Sequence, residues 1–419
     1  MKAAENNQEK MVIRYAVMCK PIGSRCNLSC TYCYYLSKKN LLGQRADAHI
    51  SDEVLEEFIR QNIEGQANAE EIVFSWQGGE PTLLGIDFFR KVVELERKYA
   101  HPGVRIENDL QSNCILIDED WAIFLAENNF LVGLSIDGPK RWHDMHRVDR
   151  HGRGSFDRVM ESVGLLHKHQ VKFNALVTVN RDNARDPLGV YRFLRDEVGA
   201  TVIQFIPIVE PKGFEHKAPD YTSHPFLPTM GTVAAKPGNP DSFVTEWSVD
   251  PDDWGDFLCA VFDEWHAHDI GKTWVMHFES AVYAALGMFS PLCSLSPVCG
   301  KCLAMEHDGS LYACDHYVYP EFYLGNILDN KIVNHVFSKR QQEFAFSKQK
   351  LTWMCDRCSY LKWCYGECCK NRFIKTPQGE AGHNYLCTGF QKFFTHVEHR
   401  IYQLAEEIQK TVSGIYFLS

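Results

Sequence analysis

Residues 26–33 read Cys26-Asn-Leu-Ser-Cys30-Thr-Tyr-Cys33, a C-x3-C-x2-C run just after the β-prone stretch Val12–Met18. Three thiolates on one tight loop can hold three irons of a [4Fe–4S] cube. The fourth iron then has no protein ligand and stands open to a small molecule. A zinc site with a remote fourth ligand is the competing reading. Zinc favours paired C-x2-C knuckles, so the cube is the better match.

Outward from this loop the first half alternates strands with amphipathic helices. Strands are predicted at Ile72–Trp76, 104–111, 131–136, 172–179 and 202–208. Helices are predicted after Ser51 (an N-cap with Asp52 and Glu53 in the first turn) and at Ile86–Tyr99, 118–128, 155–169 and 187–197. Such alternation implies a parallel sheet with right-handed crossovers. Six units make an open or partial barrel, with chemistry at the C-terminal ends of its strands. Residues 210–250, rich in Pro, Gly and His, break the rhythm, and a loop that long is usually functional or disordered. Helix 252–269 leads out of the barrel. Met305–Cys314 reads as a hairpin turning at Asp308-Gly309, and 388–411 as a last amphipathic helix. The expected organisation is a leader at 1–13, a barrel at 14–250, a linking helical segment at 251–285 and a cysteine-rich domain at 286–419.

Composition narrows the class. The chain has 419 residues, 45% hydrophobic, with 44 basic against 54 acidic side chains, a net charge of −10. Without a basic run, nucleic acid and anionic membranes are poor partners. No apolar stretch is long enough to span a bilayer. The opening MKAAENNQEK lacks the apolar core of a signal peptide, so a cytoplasmic location is expected. Sixteen cysteines in a cytosolic chain point to metal rather than disulfides. Eight of them form a downstream set, Cys293-x5-Cys299-x14-Cys314 and Cys355-x2-Cys358-x5-Cys364-x3-Cys368-x18-Cys387. That suffices for two fully thiolate-ligated clusters, or for two structural zinc sites. Cys19, Cys114, Cys259, Cys302 and Cys369 are surplus.

Two further motifs follow strand ends. Gly78-Gly79-Glu80-Pro81 comes directly after the second strand, where glycines allow a close backbone approach. Ser135-Ile-Asp137-Gly138 ends the fourth strand, with Arg147 in the next loop. Either could be a turn alone.

The C-x3-C-x2-C loop and the GGEP run together resemble the radical S-adenosylmethionine (SAM) superfamily, and C-x2-C-x5-C-x3-C resembles its SPASM domain. The implied fold is α/β: a partial (β/α)6 TIM-like barrel followed by a small cysteine-rich SPASM domain with two Fe–S clusters. The resemblance implies three [4Fe–4S] clusters and SAM. Cys26, Cys30 and Cys33 would hold the cluster that cleaves SAM. Cys293, Cys299, Cys314 and Cys368 would hold auxiliary cluster I, and Cys355, Cys358, Cys364 and Cys387 auxiliary cluster II. Tyr32, Gly78, Gly79, Glu80, Asn113, Ser135, Arg147 and Val209 would line the SAM site. For Ser135 and Arg147 a turn, and for Val209 core packing, is the plain alternative.

Within that superfamily, Tyr34-Tyr35, Gln77, Gln204-Phe-Ile and Cys314-Asp315-His316-Tyr317 resemble the anaerobic sulfatase-maturating enzymes. This implies oxidation of a Cys or Ser in a Cys/Ser-x-Pro/Ala-x-Arg motif to Cα-formylglycine. A 5′-deoxyadenosyl radical takes a Cβ hydrogen, and the auxiliary clusters accept the remaining electron. Asp315 is the candidate base, with Tyr35 and Gln77 as candidate substrate contacts; an Asp capping a turn and simple packing are the alternatives. Implied partners are an unfolded or nascent sulfatase polypeptide and an electron donor such as flavodoxin or ferredoxin. A second reading is a ribosomal-peptide maturase forming a thioether or carbon–carbon crosslink. A peptide-clasping domain before the first cluster would favour it, and the short N-terminal stretch offers none. A third is a catalytically silent Fe–S or zinc scaffold, against which the intact cysteine loop and GGEP run argue.

Overall fold

A computed structural model of the chain describes residues 13–219 and 226–416. The expected leader therefore lies almost wholly outside the described residues. One ten-stranded sheet organises the molecule, in the order β10-β9-β8-β1-β2-β3-β4-β5-β6-β7. The strands are β1 Ala16–Lys20, β2 Glu71–Trp76, β3 Arg105–Ser112, β4 Leu131–Ser135, β5 Phe173–Val179, β6 Val202–Pro207, β7 Trp274–Val275, β8 Cys302–Glu306, β9 Ser310–Tyr312 and β10 Tyr323–Asn326. From β8 through β1 to β7 all neighbours pair in parallel, while β8, β9 and β10 form an antiparallel meander.

The main helices are α1 Asp52–Glu64, α2 Ile86–Tyr99, α3 Glu119–Glu127, α4 Phe156–Lys168, α5 Pro187–Arg192, α6 Pro251–His268, α7 Met276–Ala285 and α8 Cys387–Tyr416. The Ser51 hydroxyl caps α1 by accepting from the Val54 amide at 3.2 Å, as its N-cap chemistry predicts. The helix expected at 187–197 changes character after Arg192. Val198 N–H donates to Phe193 C=O, so the last turn is π-type.

Three features differ from the sequence reading. The first strand runs to Lys20 and not Met18, because its register is set by β8, with Ala16 opposite Cys302 and Lys20 opposite Glu306. A seventh parallel strand, β7, sits within the segment expected to be helical and pairs with β6. The sheet is also continuous across residue 286, since β8 lies directly against β1. The hairpin turns at the expected dipeptide: Gly309 has φ of +84° and Asp308 accepts from the Ser310 amide.

The two parts share one apolar core, which extends from Val17 to Ile401. Helix α8 packs on α6 through Trp254–Phe390 and Phe262–Phe393 ring contacts. A Cβ on Gly255 would meet the Gly389 carbonyl at 2.8 Å, so two glycines let these helices cross closely. The segment after β6 bridges both parts: Phe214 C=O accepts from Tyr319 Oη at 2.8 Å, and Met230 N–H donates to Lys375 C=O. Among the described residues no helix is long and apolar enough to cross a membrane.

Candidate iron–sulfur and substrate site

The loop carrying Cys26, Cys30 and Cys33 follows β1 and is held from three sides. From the GGEP turn, Gly79 N–H donates to Gly23 C=O at 2.7 Å and Glu80 N–H to Arg25 C=O at 2.9 Å. A Cβ at Gly79 would overlap the Arg25 backbone, so this glycine is required by the loop itself. From the β4 side, Ser29 N–H donates to Val148 C=O and Thr31 N–H to His146 C=O. From the end of β3, Asn113 Nδ2 donates to Asn27 Oδ1 at 2.8 Å and lies 3.7 Å from Cys26 Sγ.

Glu80 is a strut. Its buried carboxylate accepts from Ser112 Oγ, the Asn113 amide and both the amide and hydroxyl of Thr82. Asp137 plays the same part on the other side. It is fully buried, accepts two bonds from the Arg147 guanidinium at 3.0 Å each and one from the Thr178 amide, and is also bonded by Tyr32 Oη. Burial pushes this carboxyl up, yet Arg147 outweighs it and the net shift is downward. Arg147 lies 5.7 Å from the centroid of the Tyr32 ring, so Tyr32, Asp137 and Arg147 form one polar wall beside the loop. Ser135 is turned toward β3, accepting from Gln111 Nε2 at 2.9 Å. Val209 lies in the core, and its carbonyl accepts from Lys370 Nζ at 2.7 Å. Gln77 is half-buried just past β2, its amide bonded to Cys19 C=O.

Asp315 is drawn to the first loop. One oxygen is ion-paired with Lys20 Nζ, and the other accepts from Tyr34 Oη. Burial pushes the Asp315 carboxyl up, but Lys20 and His316 pull it down to about 2. Tyr35, expected to meet substrate, is buried and donates to Glu306, with Lys20 Nζ 4.2 Å from its ring centroid. Tyr34 and Lys20 therefore surround Asp315 in a way the sequence did not single out. A buried lysine at a strand end carries no sequence signal.

The downstream cysteines separate into two neighbourhoods. Cys355, Cys358, Cys364 and Cys387 line one cavity together with Tyr360, Phe390 and Phe394. Cys299 and Cys314 pack on the Ala313–Tyr317–Phe344 cluster, and burial pushes the Cys314 thiol well up, with Cys368, Asp315 and Cys293 near enough to add to the shift. The unassigned Cys369 sits 3.8 Å from Cys299. Cys19 and Cys114 are buried in the core.

These donor sets suit iron–sulfur clusters. Burial pushes Cys26 and Cys30 up to about 12, and a bound metal would draw them down to thiolates. Among the described residues no three Cys, His, Asp or Glu stand close enough to hold one metal ion.

A parallel sheet with a three-cysteine loop beyond its first strand, continued by a cysteine-rich meander, defines a radical SAM enzyme with an auxiliary-cluster domain. The Radical SAM superfamily pattern matches residues 21–194, and an iron-sulfur cluster-binding domain pattern (SPASM) matches 293–359. A serine-type anaerobic sulfatase-maturating enzyme of Bacteroides thetaiotaomicron is 41% identical over 91% of this chain and 89% of its own. A cysteine-type enzyme of Clostridium perfringens is 32% identical over 94% and 99%. Native anSMEcpe with bound AdoMet and Cp18Cys peptide superposes with a TM-score of 0.79 at 31% identity, covering 94% of this chain and 99% of that one. The chain belongs to the anaerobic sulfatase-maturating enzymes. Streptococcus suis SuiB, at 15% identity and TM-score 0.60 over 90% of this chain and 77% of its own, shares the fold alone.

Proposed function

We propose that this protein oxidises a Cys or Ser within a Cys/Ser-x-Pro/Ala-x-Arg motif of an unfolded or nascent sulfatase to Cα-formylglycine, in the cytoplasm. The observation that carries this reading is the Tyr34–Asp315 hydrogen bond. Tyr34 follows Cys33 and Asp315 follows Cys314, so the first cluster's loop and an auxiliary-cluster ligand meet at one carboxylate.

Cys26, Cys30 and Cys33 would hold the cluster that binds SAM. Cys293, Cys299, Cys314 and Cys368 would hold auxiliary cluster I, and Cys355, Cys358, Cys364 and Cys387 auxiliary cluster II. The shared cavity of the last four supports that division. When bound, the first cluster and SAM supply the radical that removes a Cβ hydrogen. The chain's own residues do the rest. Gly78, Gly79 and Glu80 fix the loop and present backbone at the SAM site. Tyr32, Asn113, Ser135, Arg147 and Val209 complete its walls, with Asp137 orienting Arg147.

Asp315 would take the O–H or S–H proton of the substrate residue, leaving one electron for a cluster to accept; a Ser then stands as the aldehyde, and a Cys as a thioaldehyde that water hydrolyses with loss of hydrogen sulfide. Lys20 holds this carboxylate ionised, so that it has a free acceptor form. Gln77 would contact the peptide. Tyr34, rather than the Glu306-bound Tyr35, is the aromatic that touches the base. An electron donor such as flavodoxin or ferredoxin would reduce the first cluster.

The test is anaerobic incubation of reconstituted protein with SAM, a chemical reductant and a Cys- or Ser-motif peptide. The expected result is 5′-deoxyadenosine together with a peptide aldehyde that reacts with hydrazine. SAM cleavage with no aldehyde on either peptide would overturn the proposal.

A further inference from the structure

The cavity lined by Cys355, Cys358, Cys364 and Cys387 also contains His383, and His383 reaches one of those sulfurs through a threonine. Thr352 is the N-cap of the short helix Trp353–Asp356. A threonine there ordinarily uses its side chain to accept from a first-turn amide. Thr352 makes no such cap bond. Its hydroxyl lies instead 2.8 Å from His383 Nδ1 and 3.6 Å from Cys355 Sγ. His383 Nδ1 is itself 3.9 Å from that sulfur.

Both side chains are buried, Thr352 at 3% and His383 at 1% exposure. His383 Nε2 is buried and has no partner among the described residues, so Thr352 and Cys355 are the ring's polar contacts. The hydroxyl has one proton and two acceptors within reach, the ring nitrogen and the sulfur. A thiolate takes it preferentially, because a hydrogen bond to a charged acceptor is about twice as strong as a neutral one. Nδ1–H then donates to the threonine oxygen, and the pair forms a chain ending on Cys355. Among the four cavity cysteines, Cys355 alone is approached by a side-chain hydroxyl among the described residues.

We infer that Thr352, oriented by His383, donates a hydrogen bond to the Cys355 thiolate and raises the reduction potential of the cluster in this cavity. The inference rests on the assignment of these four cysteines to one cluster. Reduction adds negative charge, and a donor aimed at a ligand sulfur stabilises the reduced state. The cluster thereby becomes a better acceptor for the electron that substrate oxidation releases. Thr352 and His383 are positioning residues, since neither meets substrate.

The test uses protein carrying Cys26→Ala, Cys30→Ala and Cys33→Ala, which leaves the two auxiliary clusters, titrated by EPR against potential. Thr352→Val removes the donor and keeps the shape, whereas Thr352→Ser keeps the donor. The expected result is that Val moves one of the two midpoints to more negative potential. The other midpoint and the iron content stay unchanged, and Ser restores the parental value. An unmoved midpoint in the Val variant, or equal shifts in Val and Ser, would overturn the inference. If Val costs iron, His383→Leu reads the same contact, with a negative shift expected and an unmoved midpoint contradicting. A parent protein showing one auxiliary cluster would instead overturn the four-cysteine assignment.

Discussion

The first cysteine loop and the downstream cavity hold their sulfurs in opposite surroundings. Beside Cys26, Cys30 and Cys33 stand Glu80, Asn113, Asp137 and Arg147, all buried and bonded in two pairs, Glu80 with Asn113 and Asp137 with Arg147. Beside Cys355, Cys358, Cys364 and Cys387 stand Tyr360, Leu361, Phe390 and Phe394, with α8 closing one side. Three thiols with polar walls suit a cluster that binds a charged small molecule at its open iron. Four thiols with largely apolar walls suit a cluster that is fully ligated and passes electrons. On the proposed assignment, the number of sulfurs and the polarity of their walls would separate the reacting site from the one that passes electrons.

The largest break in that comparison comes from removing the first loop's ligands. The Cys26→Ala, Cys30→Ala, Cys33→Ala variant should make no 5′-deoxyadenosine, and its iron should fall from about 12 to about 8 per chain, the content of two cubes. Stoichiometric zinc in the wild type would contradict the assignment.

Asp315→Asn should come next. Formylglycine is expected to drop by roughly 10²-fold or more, the scale of losing a general base, while 5′-deoxyadenosine is still released. The structure adds a complication, because this change leaves Lys20 buried without its counter-charge, and an uncompensated buried charge is destabilising. The double variant Lys20→Met, Asp315→Asn should recover iron content and thermal stability without recovering aldehyde. Near-wild-type formylglycine per intact cluster set in either variant removes Asp315 from the mechanism.

Gly79→Ala sharpens the contrast by geometry. The added methyl would overlap the Arg25 backbone, so the loop must move while the downstream cavity is untouched. Iron should be lost selectively from the first cluster, read as a fall toward the triple variant's content. Uniform loss from all three sites would show instead a general folding defect.

The smallest effect lies in the barrel wall. Glu96 on α2 is buried, with one oxygen bonded to Asn108 and the other without a partner. Burial pushes its carboxyl up to about 8, against 4.5 for an ordinary glutamate. The folded chain therefore keeps a proton that the unfolded chain loses, and stability falls as pH rises from 4.5 toward 8. Glu96→Gln should raise Tm by about a few degrees near pH 8 and by less near pH 5. Equal Tm changes at both would contradict the assigned protonation.

Much of this was legible in the sequence because it is written in short spacings. The cysteine runs, the GGEP turn and the strand–helix alternation each sit within one element or one loop. What escaped depends on distant pairing. Lys20 lies beyond the predicted strand Val12–Met18, and only its position opposite Glu306 on β8 brings it to Asp315. Asp137 lay inside a noted motif, but its role as the partner of both Tyr32 and Arg147 requires the loop and β4 to be adjacent. Two-residue β7 is too short for any periodicity, and Cys369, 3.8 Å from Cys299, differs from its neighbour Cys368 by no local signal.

The most direct measurement is Mössbauer spectroscopy of protein reconstituted with isotope-enriched iron, recorded with and without SAM. The account predicts that SAM perturbs about one iron in twelve, the open corner of the one cube held by three cysteines. The perturbation should vanish in the triple cysteine variant while the eight auxiliary irons, about two cubes' worth, keep their spectrum. A perturbation that persists in that variant, or one spread over the auxiliary irons, would contradict it.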